Sequence, residues 1–404
     1  MTPGMKQARR VVLAGAVPVA LVALAASGLP GDAASAVPRP CGTVTGPVII
    51  AAGGTYQVCA RSSDPKSPAV TVATTASVTL HGFVEGPGDL ILGTRRVNLT
   101  VTRMIGVADN PNVRGLTTGQ FIATDAGFAN LDVEHSTFGG GLGIWAHGYA
   151  GNRTAAQTLE VLDNRATNLN GRRSDGAGGW LATAESPTPT QFLQLDQVLA
   201  VPHIEVAWNR VTNAPGRSRV EDNVNFFRSG GTRASPADVH DNLIDGAYPA
   251  RATSQPYTGG GILIGDTGGA SQAGSWVNVH DNVIVATTNY GISVAFGCND
   301  KVTGNRIVSS GKVNGVWVRA ENVGLALGSQ ARRGVPCSAS AANTATRNVI
   351  GWQRRSGRND TSCPTSPCPR NTALAGPITA GSERAEQTSW DRRAAAAGVT
   401  VGAG

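Results

Sequence analysis

Between Glu221 and Arg228 the chain places Glu221, Asp222, Asn223, Asn225 and Arg228 within eight residues, beside Phe226 and Phe227. Paired carboxylic acids are the apparatus of glycosidic cleavage: one protonates the leaving oxygen, the other attacks the sugar or activates water. Two more acids join this group if neighbouring strands stack in register. Aligning Ser229-Gly230-Gly231 with Thr267-Gly268-Gly269 sets Arg228 beside Asp266 and Asn225 beside Leu263, and Asp196 on the preceding strand falls one position earlier. Stacked strands lie about 4.8 Å apart. Carboxylates on adjacent strands would then sit near the ~5–5.5 Å separation of a retaining mechanism, and those two strands apart near the ~6.5–9.5 Å of an inverting one. The expected catalytic set is Asp222, Asp266, Glu221 and Asp196, with Arg228 placed to hold an anionic sugar or, if deprotonated, to act as the base of an elimination. The bland alternative is that Asp222 and Asp266 cap turns beside Asn223 and Gly268. Polar residues crowded on one rigid strand are what a preorganised site needs, whereas the other strands offer one or two each.

Outside this cluster, Asn225, His147, Trp145 and Trp317 are the expected substrate-binding residues, the tryptophans by stacking on sugar faces. His147, just after Trp145, is also a candidate acid or base. Trp180 could stack likewise, whereas Trp208 falls inside a repeated phrase and reads as packing. His240-Asp241 and His280-Asp281 occupy matching positions of two repeats and would stack. They could form a His₂Asp₂ metal site, but a surface ladder is favoured because both pairs belong to the repeat, and no metal ligand is assigned. No Gly-x-Ser-x-Gly elbow, phosphate-binding loop or dinucleotide fingerprint is present, and Gly53-Gly54 and Gly259-Gly260-Gly261 read as turns.

The elements that must position these residues follow from a repeat. An apolar-x-x-Asn phrase recurs at Val161–Asn164, Val206–Asn209, Val239–Asn242, Val279–Asn282 and Val302–Asn305, with weaker copies at Val133–Ser136 and Ala345–Asn348. Its steps are 28, 45, 33, 40, 23 and 43 residues. The shortest matches one coil of a parallel β-helix, and the longer ones a coil plus an inserted loop. A second strand type opens on Gly, as in Gly261-Ile-Leu-Ile, Gly291-Ile-Ser-Val and Gly315-Val-Trp-Val. The Asn of each phrase is expected to take the left-handed backbone region at the turn and to bond to the Asn of the next coil. Among 404 residues, 52 glycines and 22 prolines break the apolar runs into lengths of four to seven, too short for helical bundles. A propeller needs a near-constant period of ~40–45 residues, so the 23-residue step argues against it, and a jelly roll is the weaker all-β alternative.

These phrases, with the Gly-opened strands and an N-terminal leader, resemble the right-handed parallel β-helix proteins of the pectate-lyase-like superfamily over roughly residues 42–352. Glu221–Gly231, Gly259–Asp266 and Tyr290–Val294 look like a core shared by secreted members. The resemblance implies an all-β, right-handed parallel β-helix and a carbohydrate partner. It does not choose among the superfamily's lyases, hydrolases, epimerases and adhesins. The chain has no Asp-Asp pair, Gly-His-Gly or Arg-Ile-Lys of polygalacturonases and no Trp-x-x-His of pectate lyases. Calcium is common among members and is the one cofactor the resemblance suggests, although no Asp-rich loop matches a calcium motif.

The leader has Lys6, Arg9 and Arg10 ahead of an apolar run Val11–Ala26, and Ala34-Ser35-Ala36 ends it as a signal-peptidase site would. Residues 1–36 are therefore expected to be removed on secretion, by the general or the twin-arginine route, with no membrane span. The remainder carries 31 basic and 26 acidic residues, a net charge of +5, without the basic runs and interleaved aromatics of a nucleic-acid binder. Six cysteines suit an oxidising compartment, and the pairing nearest in sequence is Cys41 with Cys59, Cys298 with Cys337 and Cys363 with Cys368. Inserts at Arg172–Pro189 and Tyr248–Gly259 are placed to wall a groove and are equally consistent with tolerated surface loops. Residues 37–352 are expected to form the helical stack, and 353–404, rich in Arg, Ser, Pro and Ala, an irregular tail capping its last coil. The expected protein is a secreted monomer that cleaves glycosidic bonds in a polysaccharide, by hydrolysis in preference to elimination. Its rival is a non-catalytic glycan-binding or surface-structural protein.

Overall fold

Short apolar runs broken by Gly, Asn and Asp become short strands, and nearly all of them pair in parallel with the strand one repeat earlier and later. The computed structural model describes residues 41–109, 111, 113, 116, 118–155, 158–181, 188–253, 258–265, 274–319, 322–328, 343–364 and 368–404. The expected leader, Asp266 and Cys337 lie outside these residues. The described chain is all-β apart from a single α-helix, with strands in long parallel sheets.

One sheet has eleven strands in sequence order, from Val48–Ile50 to Thr361–Ser362. Its buried positions stack as Ile91, Ile122, Ile144, Leu193, Val224, Ile262, Ile292 and Leu325. The alternate positions Leu92, Ala123, Trp145, Gln194, Asn225, Leu263 and Ser293 form a second row. Side chains on a strand alternate between faces, so parallel in-register pairing turns each position into a row running across the strands. The second large sheet carries the repeated phrases, and Val133, Val161, Val206, Val239, Val279 and Val302 stack into the same core.

A ladder of buried asparagines joins successive phrases. Each of Asn164, Asn209, Asn242, Asn282, Asn305 and Asn348 donates both its backbone N–H and its side-chain amide to the Oδ1 of the next asparagine, at 2.9–3.0 Å, ending on Asn371. The left-handed conformation expected of these asparagines belongs instead to the residue before each one: Asp163, Trp208, Asp241, Asp281, Gly304, Arg347 and Arg370, and likewise His135 before Ser136, have φ between 45° and 72°. The Asn is free to point inward because its predecessor makes the turn. Burying an amide in this way is favourable only when its donors and acceptors are met, which the ladder does.

The C-terminal region departs from the expected irregular cap. Strands continue past Trp352, with Thr361–Ser362 joining the eleven-stranded sheet and Thr372–Ala373 the other. A helix Ala380–Ala396 then begins at a capping box formed by Thr379 and Ser382. Trp390, Ala394 and Ile378 cover Leu243, Val283, Val285 and Val308, on three successive strands of the second sheet. Trp390 Nε1 donates to the Asp241 carbonyl at 2.7 Å, Arg210 pairs with Asp391 at 2.8 Å, and Arg306 pairs with Glu386. Beyond the helix, Gly402 N donates to the Asp163 carbonyl at 2.7 Å. The tail therefore runs along the side of the stacked strands and reaches back to the phrases at Asp163 and His135.

Cys41–Cys59 and Cys363–Cys368 form the disulfides expected for them. Cys298 is also disulfide-bonded, and its expected partner is outside the described residues. No described helix is long and apolar enough to cross a membrane.

If the amide ladder holds the phrases together, Asn242→Ala should destabilise the protein by about 2 kcal/mol or more, since it strands buried partners on both sides. Exposed Lys301→Ala, on a strand of the same sheet, should change stability by no more than about 0.5 kcal/mol. Urea unfolding of both variants checks this, and equal midpoints would remove the ladder from the account.

Candidate functional site

The strand Ile144–His147 alternates Ile144 and Ala146 into the core with Trp145 and His147 on the other face. Gly143 leads into it at φ 91°, where a Cβ would overlap the Gln191 carbonyl, so only glycine allows the strands to approach this closely. Thr124 Oγ1 accepts from the His147 N–H at 2.8 Å and donates to its carbonyl at 3.2 Å, fixing the far end of the strand. On the next strand, Leu193–Asp196, Gln194 stands beside Trp145 and Asp196 beside His147. This register brings His147 Nδ1 to 3.0 Å from Asp196 Oδ2 and leaves Asp196 Oδ1 buried with no hydrogen bond. The Trp145 and His147 rings lie 4.9 Å apart.

Trp145, Gln194 and Asp196 line a cleft of about 480 Å³ together with Asp89, Gln120 and Asp125. Its apolar wall is Leu92, Ala123 and Pro189. Asp89 precedes the strand Ile91–Gly93, and its Oδ1 accepts backbone N–H groups of Gly119 at 2.8 Å and Gln120 at 2.9 Å. Burial raises the Asp89 pKa, the two backbone hydrogen bonds oppose that rise, and the nearby Asp125 charge adds to it, for a net upward shift. Asp125 opens the turn after the strand Ile122–Thr124 and is exposed to solvent. The cleft therefore pairs a half-buried carboxyl, whose pKa is raised, with an exposed carboxylate.

The residues expected from sequence divide between this cleft and its surroundings. Trp145 and Asp196 line it, His147 supports Asp196 from the adjacent strand, and the insert Arg172–Pro189 contributes Thr188 and Pro189 to the wall. The expected registers of Asn225 with Leu263, and of Asp196 one position before Arg228, are present. Asp222, however, is only 3% exposed: it accepts from Asn225 Nδ2 at 3.3 Å and from the Tyr290 hydroxyl. Asn225 is 1% exposed, and Glu221 accepts from Gln191 Nε2 at 3.3 Å. Arg228 has φ 51° and lays its guanidinium 4.8 Å from the Phe227 ring centroid. None of these four lines the cleft. Trp317, read as part of a Gly-opened parallel strand, instead pairs in an antiparallel hairpin with Lys312, and Val323–Leu327 takes the expected place in the sheet. Asp89, Gln120, Asp125 and Gln194 were not found from sequence. Asp89 and Asp125 flank short strands earlier than those aligned there, and extending the row from Asp196 back through His147 would have pointed to Asp125.

On the second sheet, Asp132, Glu134 and Glu160 bring carboxylate oxygens within 4.8 Å of one another, the described group whose spacing could hold a cation. None of the three lines the cleft. His240 and His280 stack at 4.9 Å with their planes 4° apart, and every ring nitrogen faces a carboxylate. His240 meets Asp241 at 2.9 Å and Glu205 at 3.1 Å, and His280 meets Asp281 and Asp238 at 2.9 Å each. This is the ladder geometry, with both nitrogens of each ring acting as donors when the ring is charged. The hydrogen bond to Asp238 outweighs burial and, with Asp281, lifts the His280 pKa to about 9. For His240, burial opposes the charge but Asp241, Asp238 and Glu205 prevail, and its pKa also rises.

A histidine whose pKa is raised by folding adds stability in full below its unfolded value of about 6.5 and loses it as pH climbs through the folded value. Thermal unfolding should therefore show a stability loss between about pH 6.5 and the folded value of about 9 that His280→Gln diminishes. A parent and variant with parallel pH profiles would contradict the charged ladder. Comparison with family models, curated proteins and solved structures finds no match to this chain.

Proposed function

We propose that the chain is a right-handed parallel β-helix of a secreted protein that hydrolyses glycosidic bonds of a polysaccharide in the cleft between Asp89 and Asp196. The observation that carries this reading is the Asp89–Asp125 pair beside Trp145: burial and a neighbouring charge raise one carboxyl while its partner stands in solvent. Divergent environments for two acids are how one site supplies both an acid and a base. Trp145 offers an aromatic face for a sugar ring, and the rigid strand beneath it fixes that face relative to the acids.

In this mechanism Asp89 is the general acid. Its Oδ1 is committed to the Gly119 and Gln120 amides, which leaves Oδ2 to carry the proton. That proton passes to the glycosidic oxygen as its bond to the anomeric carbon breaks. Asp125 takes a proton from the water whose oxygen forms the new bond to that carbon. Asp196, oriented by His147, serves as an acceptor for sugar hydroxyls. Elimination is less well supported, because it needs a uronate, and the described lining holds no Lys or Arg to receive one.

Screening the mature protein against neutral, acidic and amino polysaccharides should yield new reducing ends without unsaturated product. On a substrate so found, Asp89→Asn and Asp125→Asn should each lower turnover by at least ~10²-fold. Asp222→Asn, checked by circular dichroism to be folded, should stay within a few-fold because its carboxylate is outside the cleft. The reverse pattern would return the site to the sequence-derived cluster, and retention on an immobilised glycan without turnover would make the protein a binder.

A further inference from the structure

We infer that the sugar unit held in this cleft carries a free amino group, so that the substrate class is a cationic amino-sugar glycan; this rests on the cleft being a glycan site. Three of its lining residues are carboxylic acids, Asp89, Asp125 and Asp196, and no Lys, Arg or His is among the described lining. His147 Nδ1 reaches Asp196 through Oδ2 from outside the lining. Arg219 donates to the Thr188 carbonyl at 2.9 Å, and the charges it interacts with are Glu221 and Asp222. Neither Asp89 nor Asp125 has a cationic partner among the described residues.

A second observation concerns hydrogen bonding. Gln120 Oε1 and Asp196 Oδ1 are buried acceptors that meet no donor, and both residues line the cleft. Buried polar atoms without partners are rare in native proteins and are worth explaining one by one. Two buried acceptors without a donor call for a partner that supplies hydrogens. An ammonium brings three donors and no acceptor, together with the positive charge that the exposed Asp125 carboxylate lacks. A uronate brings more acceptors and the wrong sign, and an N-acetyl group replaces the charge by a neutral amide with one donor. Trp145 suits the same ligand, since its face attracts a cation as well as an apolar sugar face.

The test is direct binding at about pH 6, where free carboxylates are ionised. Length-matched oligomers of glucosamine and galactosamine would be compared with their N-acetylated forms, with neutral hexose oligomers and with galacturonate oligomers. The expected result is that at least one free-amine oligomer binds about ten-fold or more tighter than its N-acetylated form, that Asp125→Asn narrows this gap, and that added salt does the same. Equal or tighter binding of the N-acetylated, neutral or acidic oligomers overturns the amino-sugar assignment and leaves the glycan reading standing. Failure of every oligomer to bind overturns both.

Discussion

Every buried phrase of this chain must find partners for its backbone amides, and the asparagine carboxamides from Asn164 to Asn371 supply them at the one place where the strand ladder is interrupted by a turn. Because each carboxamide is bonded to the next, no phrase can slip relative to its neighbours without breaking bonds on both sides. Register is thereby set for all outward side chains at once. His147 beside Asp196 and His240 beside His280 are consequences of that constraint, since a parallel in-register sheet turns one sequence position into a spatial row. Functional chemistry on such a scaffold is chemistry of rows, and its unit of length is the strand spacing of about 4.8 Å.

The rows were readable in the sequence where residue identity repeats and unreadable where only conformation does. The buried asparagines recur as one residue type, so the phrases and their inward valines stand out. The left-handed position before them is shared by Asp163, Trp208, Asp241, Asp281, Gly304 and Arg347, which have no side-chain chemistry in common, so the sequence pattern points to the asparagine and not to the residue that turns. Trp317 shows the opposite failure. Its Gly-Val-Trp-Val segment has the pattern of the parallel strands, yet Asn314 and Gly315 both take positive φ and fold it into a hairpin. The C-terminal helix was missed because its docking face has no apolar stripe: Trp390 and Ala394 are buried with Glu383 and Glu386, and charged pairs with Arg306 and Arg210 complete the contact.

The density of polar residues around Asp222 pointed to a site for a reason that also argues against one. The Asp222 carboxylate receives the Asn225 amide and the Tyr290 hydroxyl, and a carboxylate already supplied with donors beneath the surface has little left to offer a ligand. A reactive group needs the reverse, a polar atom held in place but incompletely satisfied. Asp196 meets that description: one oxygen is fixed by His147, and the other is buried without a donor. The cleft acids also come from separate strands and turns, Asp89 before one strand, Asp125 after the next and Asp196 at the end of a third, so no short window of sequence contains two of them.

Charge balance distinguishes the cleft from the surface around His240 and His280. On the second sheet Glu205 and Asp238 lie on neighbouring strands, and each is met by an imidazole, from His240 and His280 respectively. Those histidines gain affinity for protons, which is the expected response of a structure that keeps its carboxylates ionised by pairing them. In the cleft the same strand spacing gathers acids without that pairing. His147 hydrogen-bonds Asp196, and burial, with a smaller addition from the Asp125 charge, raises the pKa of Asp89. With no cationic side chain in the described lining of the cleft, the sign of the deficit there favours a donor-rich, positively charged ligand.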